Sequence, residues 1–363
     1  MVLFYTWVGG LRATVYTELL HFVLVLIAIV PLVFLVAHDF GGINHLLSSI
    51  PPNRFHAWQT LPMFAPRATM DRFGLIFGLG VVLSFGFWST DFVQMQRTLA
   101  VRRPKDVAYV PLSMAAAKLV FAFLVVLPGV VAPLVLGAQR TGNWNATLPA
   151  MMLHYYSPSW VAIGVMGLAA SLISTFANNV AGFSSAWMQG VYQLWIRPAA
   201  AEEHYVWMSR LTNAAAVLLS IGAASLALRH ESLMEYVQMI LSTFNAPLFA
   251  LVALAALVPR RVATGGLGGF TLGLMSAVLH QALVYAGVLH YGSQMSANFY
   301  AAILGFAVAA VATLSIGLMR KPAEPLPGAH ENSLRVSIHF SMPTVLLAVA
   351  VVAAGVWINL LFW

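Results

Sequence analysis

Between Arg140 and Arg197 the chain carries no Asp, Glu, Lys or Arg, and between Arg261 and Arg320 it again carries none. Either stretch exceeds the about 20 apolar residues that one helix needs to cross a hydrocarbon core. In such a core every backbone N–H and C=O must be paired internally, so a chain of this kind folds as membrane-spanning helices. Composition agrees: of 363 residues, 60% are hydrophobic and 8% are charged, where a water-facing protein carries roughly 25% charged residues. An ordinary soluble enzyme, a disordered chain and a secreted disulfide scaffold are all excluded. With no cysteine there is no disulfide frame, thiol nucleophile or thiolate metal site, and the redox compartment leaves no mark.

The hydropathy pattern predicts one transmembrane domain over residues 1–363, all-α, with nine spans. These fall at about 14–37, 72–96, 108–137, 157–196, 205–228, 233–258, 264–287, 296–319 and 341–363. The fourth exceeds one crossing, so part of it is expected along the surface. The apolar stretches are too long for a cleavable signal peptide and lack a small-residue cleavage site. Loops 38–71 and 320–340 are the substantial ones, the first expected outside and the second inside. Twelve Lys and Arg fall on one side of this ladder, among them Arg12, Arg97, Arg102, Arg103, Lys105, Arg260 and Arg261. Five, Arg54, Arg67, Arg72, Arg140 and Arg229, fall on the other. Positive residues stay cytoplasmic, which predicts a multi-pass cell-membrane protein with its N-terminus in the cytoplasm and its C-terminus outside. The basic pI of 9.9 is then a topology signal, and nucleic acid is not an expected partner; the lipid bilayer is.

Polar groups inside spans are costly and mark candidate sites. Lys118 lies about ten residues into its span, too deep for easy snorkelling. It either pairs with a neighbouring carboxylate such as Asp91 or donates into a cavity. Gly78-Leu79-Gly80 followed by Ser84-Phe85-Gly86-Phe87-Trp88-Ser89-Thr90-Asp91 has the makings of a broken helix, as transporters place at the midplane. It is equally the pattern of close helix packing through small residues. Ser171, Ser174 and Thr175 stand at helical offsets i, i+3 and i+4, sharing one face. Three hydroxyl oxygens there suit a hard, weakly bound cation; the alternative is bonding back to their own helix's carbonyls. Asn178 and Asn179, one turn on, are expected to bond a neighbouring helix. Glu235 and Gln238 open the sixth span, with Gln238 a candidate to face a cavity. The histidines show no metal-ligand spacing, and no nucleophile elbow or phosphate loop occurs, so an enzyme is not expected. Glu202-Glu203 reads as a solvated face.

At these residues a resemblance becomes specific. Gly9-Gly10-Leu11-Arg12-Ala13 with Val15-Tyr16-Thr17-Glu18, Phe87-Trp88-Ser89-Thr90-Asp91 running to Gln96-Arg97, Ala170-Ser171-Leu172-Ile173-Ser174-Thr175 through Tyr192, Glu235-Tyr236-Val237-Gln238 with Pro247, and the ending Asn359–Trp363 resemble, in order and spacing, segments of the sodium:solute symporter family. The sodium–glucose cotransporter branch is the most similar. The resemblance implies two inverted five-helix repeats with flanking helices, working by alternating access, with sodium as coupling ion and no other cofactor. It implies that Ser171, Ser174 and Thr175 supply half of the sodium site. It implies that Ser84, Lys118 and Gln238 hydrogen-bond a small polar solute of the sugar class, beside Trp88.

Several positions depart from the pattern. Phe87 stands where sugar-transporting relatives carry a gating tyrosine. Glu18 replaces an aspartate on the ion exit route, and His21 a glutamine. Ala177 and Asn178 replace the hydroxyls of a second sodium site. Full-length members have about fourteen spans, and this chain starts at the fifth loop of that pattern. The expectation is therefore a C-terminal part of a symporter, incomplete without five preceding helices that a separately encoded segment or an upstream start supplies. Two other readings follow from the same scaffold: a non-transporting solute-binding or sensor subunit, and a non-functional remnant.

Overall fold

The computed structural model describes residues 2–51, 61–99, 101, 107–137, 144–228, 232–320 and 342–361, without the side chains of residues 2–15, 96, 97, 99, 144 and 361. The loop expected at 320–340 lies, past Arg320, outside the described residues, as do Arg54, Arg102, Arg103, Lys105, Arg140, Arg229, Lys321 and Arg335 of the orientation pattern. The described residues are mostly helical, with no strand among them. Eight helices are long and apolar enough to cross a membrane, and a ninth, Gly74–Thr90, is a shorter apolar helix. The elements are α1 (Val2–Asp39), α2 (Ile43–Ser49), α3 (Gly74–Thr90), α4 (Phe92–Leu99), α5 (Tyr109–Leu136), α6 (Thr147–Tyr155), α7 (Pro158–Ile196), α8 (Glu202–Ala227), α9 (Leu233–Leu257), α10 (Pro259–Tyr285), α11 (Gln294–Met319) and α12 (Met342–Leu361).

The chain divides into two compact units. The first comprises Met1–Phe55, Tyr109–Glu231 and Leu347–Ile358. Its core joins Leu32 and Val36 of α1, one turn apart on one face, to Leu46, Val131, Met151, Met152 and Tyr156. Within lipid the transfer from water no longer drives helices together, so close packing and interhelical hydrogen bonds must do so. Both are present. A Cβ on Gly167 of α7 would lie 2.3 Å from the Ala28 Cβ and 3.0 Å from the Leu24 carbonyl oxygen, so α1 and α7 touch only because residue 167 has no side chain. The Tyr156 hydroxyl donates to the Ala28 carbonyl at 2.6 Å beside this contact. Pro158 opens α7 at a position where its missing N–H costs nothing. The helix then runs for 39 residues, far beyond the about 30 Å of a hydrocarbon core at a rise of about 1.5 Å per residue. Its last stretch, Met188–Ile196, is wound more widely, with i→i+5 hydrogen bonds. Against α8, Ser184 donates its hydroxyl to the Ser209 carbonyl at 3.1 Å.

The second unit comprises His56–Ala108, Ser232–Leu346 and Asn359–Trp363. Asp71, 1% exposed, caps α3: Oδ1 accepts the Gly74 N–H at 3.0 Å. Its Oδ2 accepts the Ala65 N–H at 2.9 Å and the Tyr300 hydroxyl at 2.5 Å. These donors compensate a carboxylate that burial would otherwise make costly. Helix α3 is widely wound over Gly74–Phe85. The interruption of the second span falls at Asp91, in extended backbone, and not at the glycines. Gly78 instead packs closely: a Cβ there would stand 2.8 Å from the Phe299 carbonyl oxygen of α11. The Asp91 carboxylate then accepts the Val93 N–H at 3.1 Å, starting α4.

In α9 the widely wound turn Leu241–Asn245 stands just ahead of Pro247. A helical proline lacks an N–H and its ring collides with the carbonyl four residues back, here that of Thr243; widening the turn relieves the collision. Helices α10 and α11 meet along Gly265, Gly269 and Gly273. Cβ atoms at Gly269 and Gly273 would reach 2.8 Å from the Ala309 and 2.7 Å from the Gly305 carbonyl oxygens. This small-residue seam holds two backbones close together.

Candidate functional site

The residues singled out from the sequence fall into two groups, one in each unit. In the first unit, Ser171 and Thr175 are exposed and Ser174 is half-buried on α7. Hydroxyls elsewhere in the spans mostly close on their own helix: Thr90 on Gly86 at 2.8 Å, Thr212 on Met208 at 2.9 Å, Ser220 on Ala216 at 2.7 Å, and Thr271 on Leu267 at 2.8 Å. Among the described residues the hydroxyls of Ser171, Ser174 and Thr175 make no such bond. Three hydroxyl oxygens spaced over one turn thus keep lone pairs available. Asn179, expected to reach a neighbouring helix, instead donates to the Thr175 carbonyl of its own helix at 2.9 Å. With the helical N–H of Asn179 also accepted there, both lone pairs of that carbonyl are used. Glu18 is half-buried on α1, and Lys118 is exposed on α5.

In the second unit, Ser84, Phe87 and Trp88 belong to the end of α3, and Gln238 to the first turns of α9. Ser84 and Phe87 are exposed and Trp88 is half-buried. The two elements pack together. Gly86 lies against the Phe249 ring, 2.9 Å from where its Cβ would be. The Phe85 and Phe249 rings meet edge-on with centroids 5.8 Å apart. Thr90 and Asn245 hydrogen-bond across the same interface. Gln238 is 5% exposed, and its Oε1 is buried without a hydrogen-bond partner among the described residues. A buried amide oxygen left unpaired costs free energy unless a ligand or water completes it.

A polar cluster that sequence reasoning passed over lies beside this group. Asn298 of α11, fully buried, donates Nδ2 to the Glu235 carbonyl at 3.0 Å. Its Oδ1 accepts from Gln281 Nε2 of α10 at 2.8 Å. Gln294 Nε2 stands 3.4 Å from both Gln281 Oε1 and Asn298 Oδ1. Nearby, His280 Nε2 and the Tyr291 hydroxyl are 2.7 Å apart, and burial raises the Tyr291 hydroxyl's pKa. The signal was available, because uncharged amides inside spans obey the same cost rule that picked out Lys118. On the loop side, Gly292 donates to the Pro66 carbonyl at 3.2 Å, and Ser293 to the Thr69 carbonyl at 2.5 Å.

Residues 1–273 match the family model described as the sodium:solute symporter family. The chain is similar to sodium/glucose cotransporter 1 of Ovis aries, 25% identical over 366 residues that cover 88% of this chain and 54% of that protein. It is also similar to sodium/glucose cotransporter 4 of Mus musculus, at 26% identity over 78% of this chain and 45% of that protein. Sodium/myo-inositol cotransporter 2 of Mus musculus is 27% identical over 78% of this chain and 46% of its own length. The chain thus spans about half the length of these relatives.

Proposed function

Because the chain belongs to the sodium:solute symporter family, we propose that it is part of a sodium-coupled symporter of a small polar solute, a sugar or related polyol. The observation that carries this reading is the set of hydroxyls at Ser171, Ser174 and Thr175. Among the described residues they make no hydrogen bond, while Thr90, Thr212, Ser220 and Thr271 close on their own helices. Sodium bound there would take three neutral oxygens from α7 and the rest of its shell from elsewhere. Neutral ligands hold a cation weakly enough for release on each cycle. The relatives named for glucose and myo-inositol support a hydroxyl-rich, uncharged solute, and Ser84, Trp88, Lys118 and Gln238 are the residues proposed to meet it. Phe87, at the position of a gate, would close on the solute by its ring alone. Glu18 would line the route by which sodium leaves.

The working transporter on this reading includes five further helices, supplied by a preceding segment or a second chain. The N-terminus is proposed to face the cytoplasm and the C-terminus the outside. The test is uptake of labelled glucose and labelled myo-inositol under an inward sodium gradient. Proteoliposomes would hold the chain alone or together with such a five-helix segment. Sodium-driven uptake that is lost in the Ser174→Ala/Thr175→Ala variant supports the reading. Uptake indifferent to sodium, or sodium dependence unchanged in that variant, overturns the site.

A further inference from the structure

Gln238 is not the only amide in α9 with an unfilled valence. Asn245 lies seven residues on, about two helical turns, at the end of the widened stretch Leu241–Asn245. Its Oδ1 faces the Thr90 hydroxyl, and its Nδ2 is buried without a partner. This orientation is the poorer one: Thr90 Oγ1 has one hydrogen, which cannot serve both the Gly86 carbonyl at 2.8 Å and the Asn245 oxygen, so one acceptor is always left facing a lone pair. Exchanging the two ends of the amide, which are nearly indistinguishable in shape, lets Nδ2 donate to Thr90 Oγ1 and satisfies both groups. The buried atom without a partner is then the Asn245 carbonyl oxygen. Among the described residues, helix α9 consequently carries two buried amide oxygens that lack donors, one ahead of its widened turn and one at its end.

We propose that Asn245 is a further solute-contacting residue, held by Thr90, and that with Gln238 it selects solutes rich in hydroxyl donors. This inference rests on the proposed function, since it assumes that Gln238 meets the solute. Its physical content is the sign of the vacancy. Two carbonyl oxygens accept O–H groups from a polyol and repel the oxygens of a carboxylate, and an unpaired buried acceptor penalises any solute that lacks the donor. Thr90 acts as a positioning residue: its hydroxyl aims the Asn245 amide, so its loss should weaken binding indirectly.

The experiment is equilibrium binding of labelled myo-inositol and glucose, with lactate as the carboxylate control, to the full chain together with the five-helix segment of the uptake test, in lipid nanodiscs. Asn245→Leu is expected to weaken the better of the two polyols by about tenfold, the value of one buried hydrogen bond. Thr90→Val should weaken it by a smaller factor and Thr90→Ser restore it, a rescue that loss of folding would not show. If Asn245→Leu does not yield a monodisperse particle, Asn245→Ser and the Thr90 pair carry the test. Weakening by Gln238→Ala with none from Asn245→Leu overturns this inference and leaves the proposed function standing. Binding of neither polyol, or of lactate as tightly as either, overturns both.

Discussion

The Asn298 side chain donates to the backbone carbonyl of Glu235 at 3.0 Å, tying the buried face of α11 to the first turn of α9. Gln238 lies in the next turn, so the amide proposed to meet the solute is set by a hydrogen bond from another helix. Asn298 also accepts from Gln281 at 2.8 Å, which makes one residue the junction of three helices.

Replacing Asn298 by Leu strands the Gln281 amide in a buried setting and removes the side-chain bond to the Glu235 carbonyl, which keeps its helical N–H. The expected loss of stability is about 2–3 kcal/mol, and about 1 kcal/mol for Gln281→Leu, which leaves Asn298 its bond to the backbone. The double variant should fall short of the sum, because the two share a partner. Denaturant titration of the chain in detergent micelles measures all three, and strict additivity would disprove the junction.

Asp71 accepts from Ala65, Gly74 and Tyr300 while 1% exposed. Asp71→Ala leaves three donors unpaired and should cost about 3 kcal/mol. Tyr300→Phe removes one donor and should cost about 1–2 kcal/mol. Hydrogen exchange at the Ala65 and Gly74 amides reads the same event locally. Both should lose protection in Asp71→Ala, whereas Tyr300→Phe should expose mainly Ala65, which shares Oδ2.

The glycines of α3 separate a packing role from a hinge role. Gly78→Ala drives a methyl to 2.7 Å from the Phe299 Cβ and 2.8 Å from its carbonyl oxygen, and should destabilise by about 1–3 kcal/mol. Gly80→Ala meets only the Leu75 carbonyl oxygen at 3.5 Å, an ordinary contact, and should be neutral or stabilising by about 0.5–1 kcal/mol. Thermal melts of the two single variants decide. Equal sensitivity at both positions would favour a hinge.

The Ser174→Ala/Thr175→Ala variant makes a different demand. Its hydroxyls bond to nothing among the described residues, so in the absence of sodium its melting should match the unsubstituted chain within about 0.5 kcal/mol. Added sodium should raise the melting temperature of the unsubstituted chain, when a complete site is present, and leave the variant unmoved. A sodium-free loss of stability would mean that the hydroxyls serve the fold.

How the polar residues divide shows what could be read early. The broken-helix pattern ran from Gly78 to Asp91 without choosing a position, and the break falls at its far end, where the Asp91 carboxylate accepts the Val93 N–H. A glycine permits a bend and a close approach equally, and only the presence of Phe299 opposite Gly78 decides between them. Ser171, Ser174 and Thr175 were placed on one face by spacing alone, yet whether they bond backwards depends on rotamers that spacing does not determine. Asn298 and Gln281 obey the same cost rule as Gln238, but they stand seventeen residues apart on different helices, and only packing joins them into one cluster.

By itself the sequence determined that the chain is helical and where its long apolar stretches lie, but not the short helices α2 and α6 or the break that separates α3 from α4. Apolar length and the helix's closure of its own hydrogen bonds are local properties, indifferent to which helix is next door. Only the tertiary structure decided which glycines are contacts, which amides are satisfied and which, like Gln238 and Asn245, keep an open valence. A polar atom buried in a helix bundle is paired or orphaned by its neighbours across the interface, and those neighbours are brought there by the packing of whole helices, often more than a hundred residues apart, as Thr90 and Asn245 are.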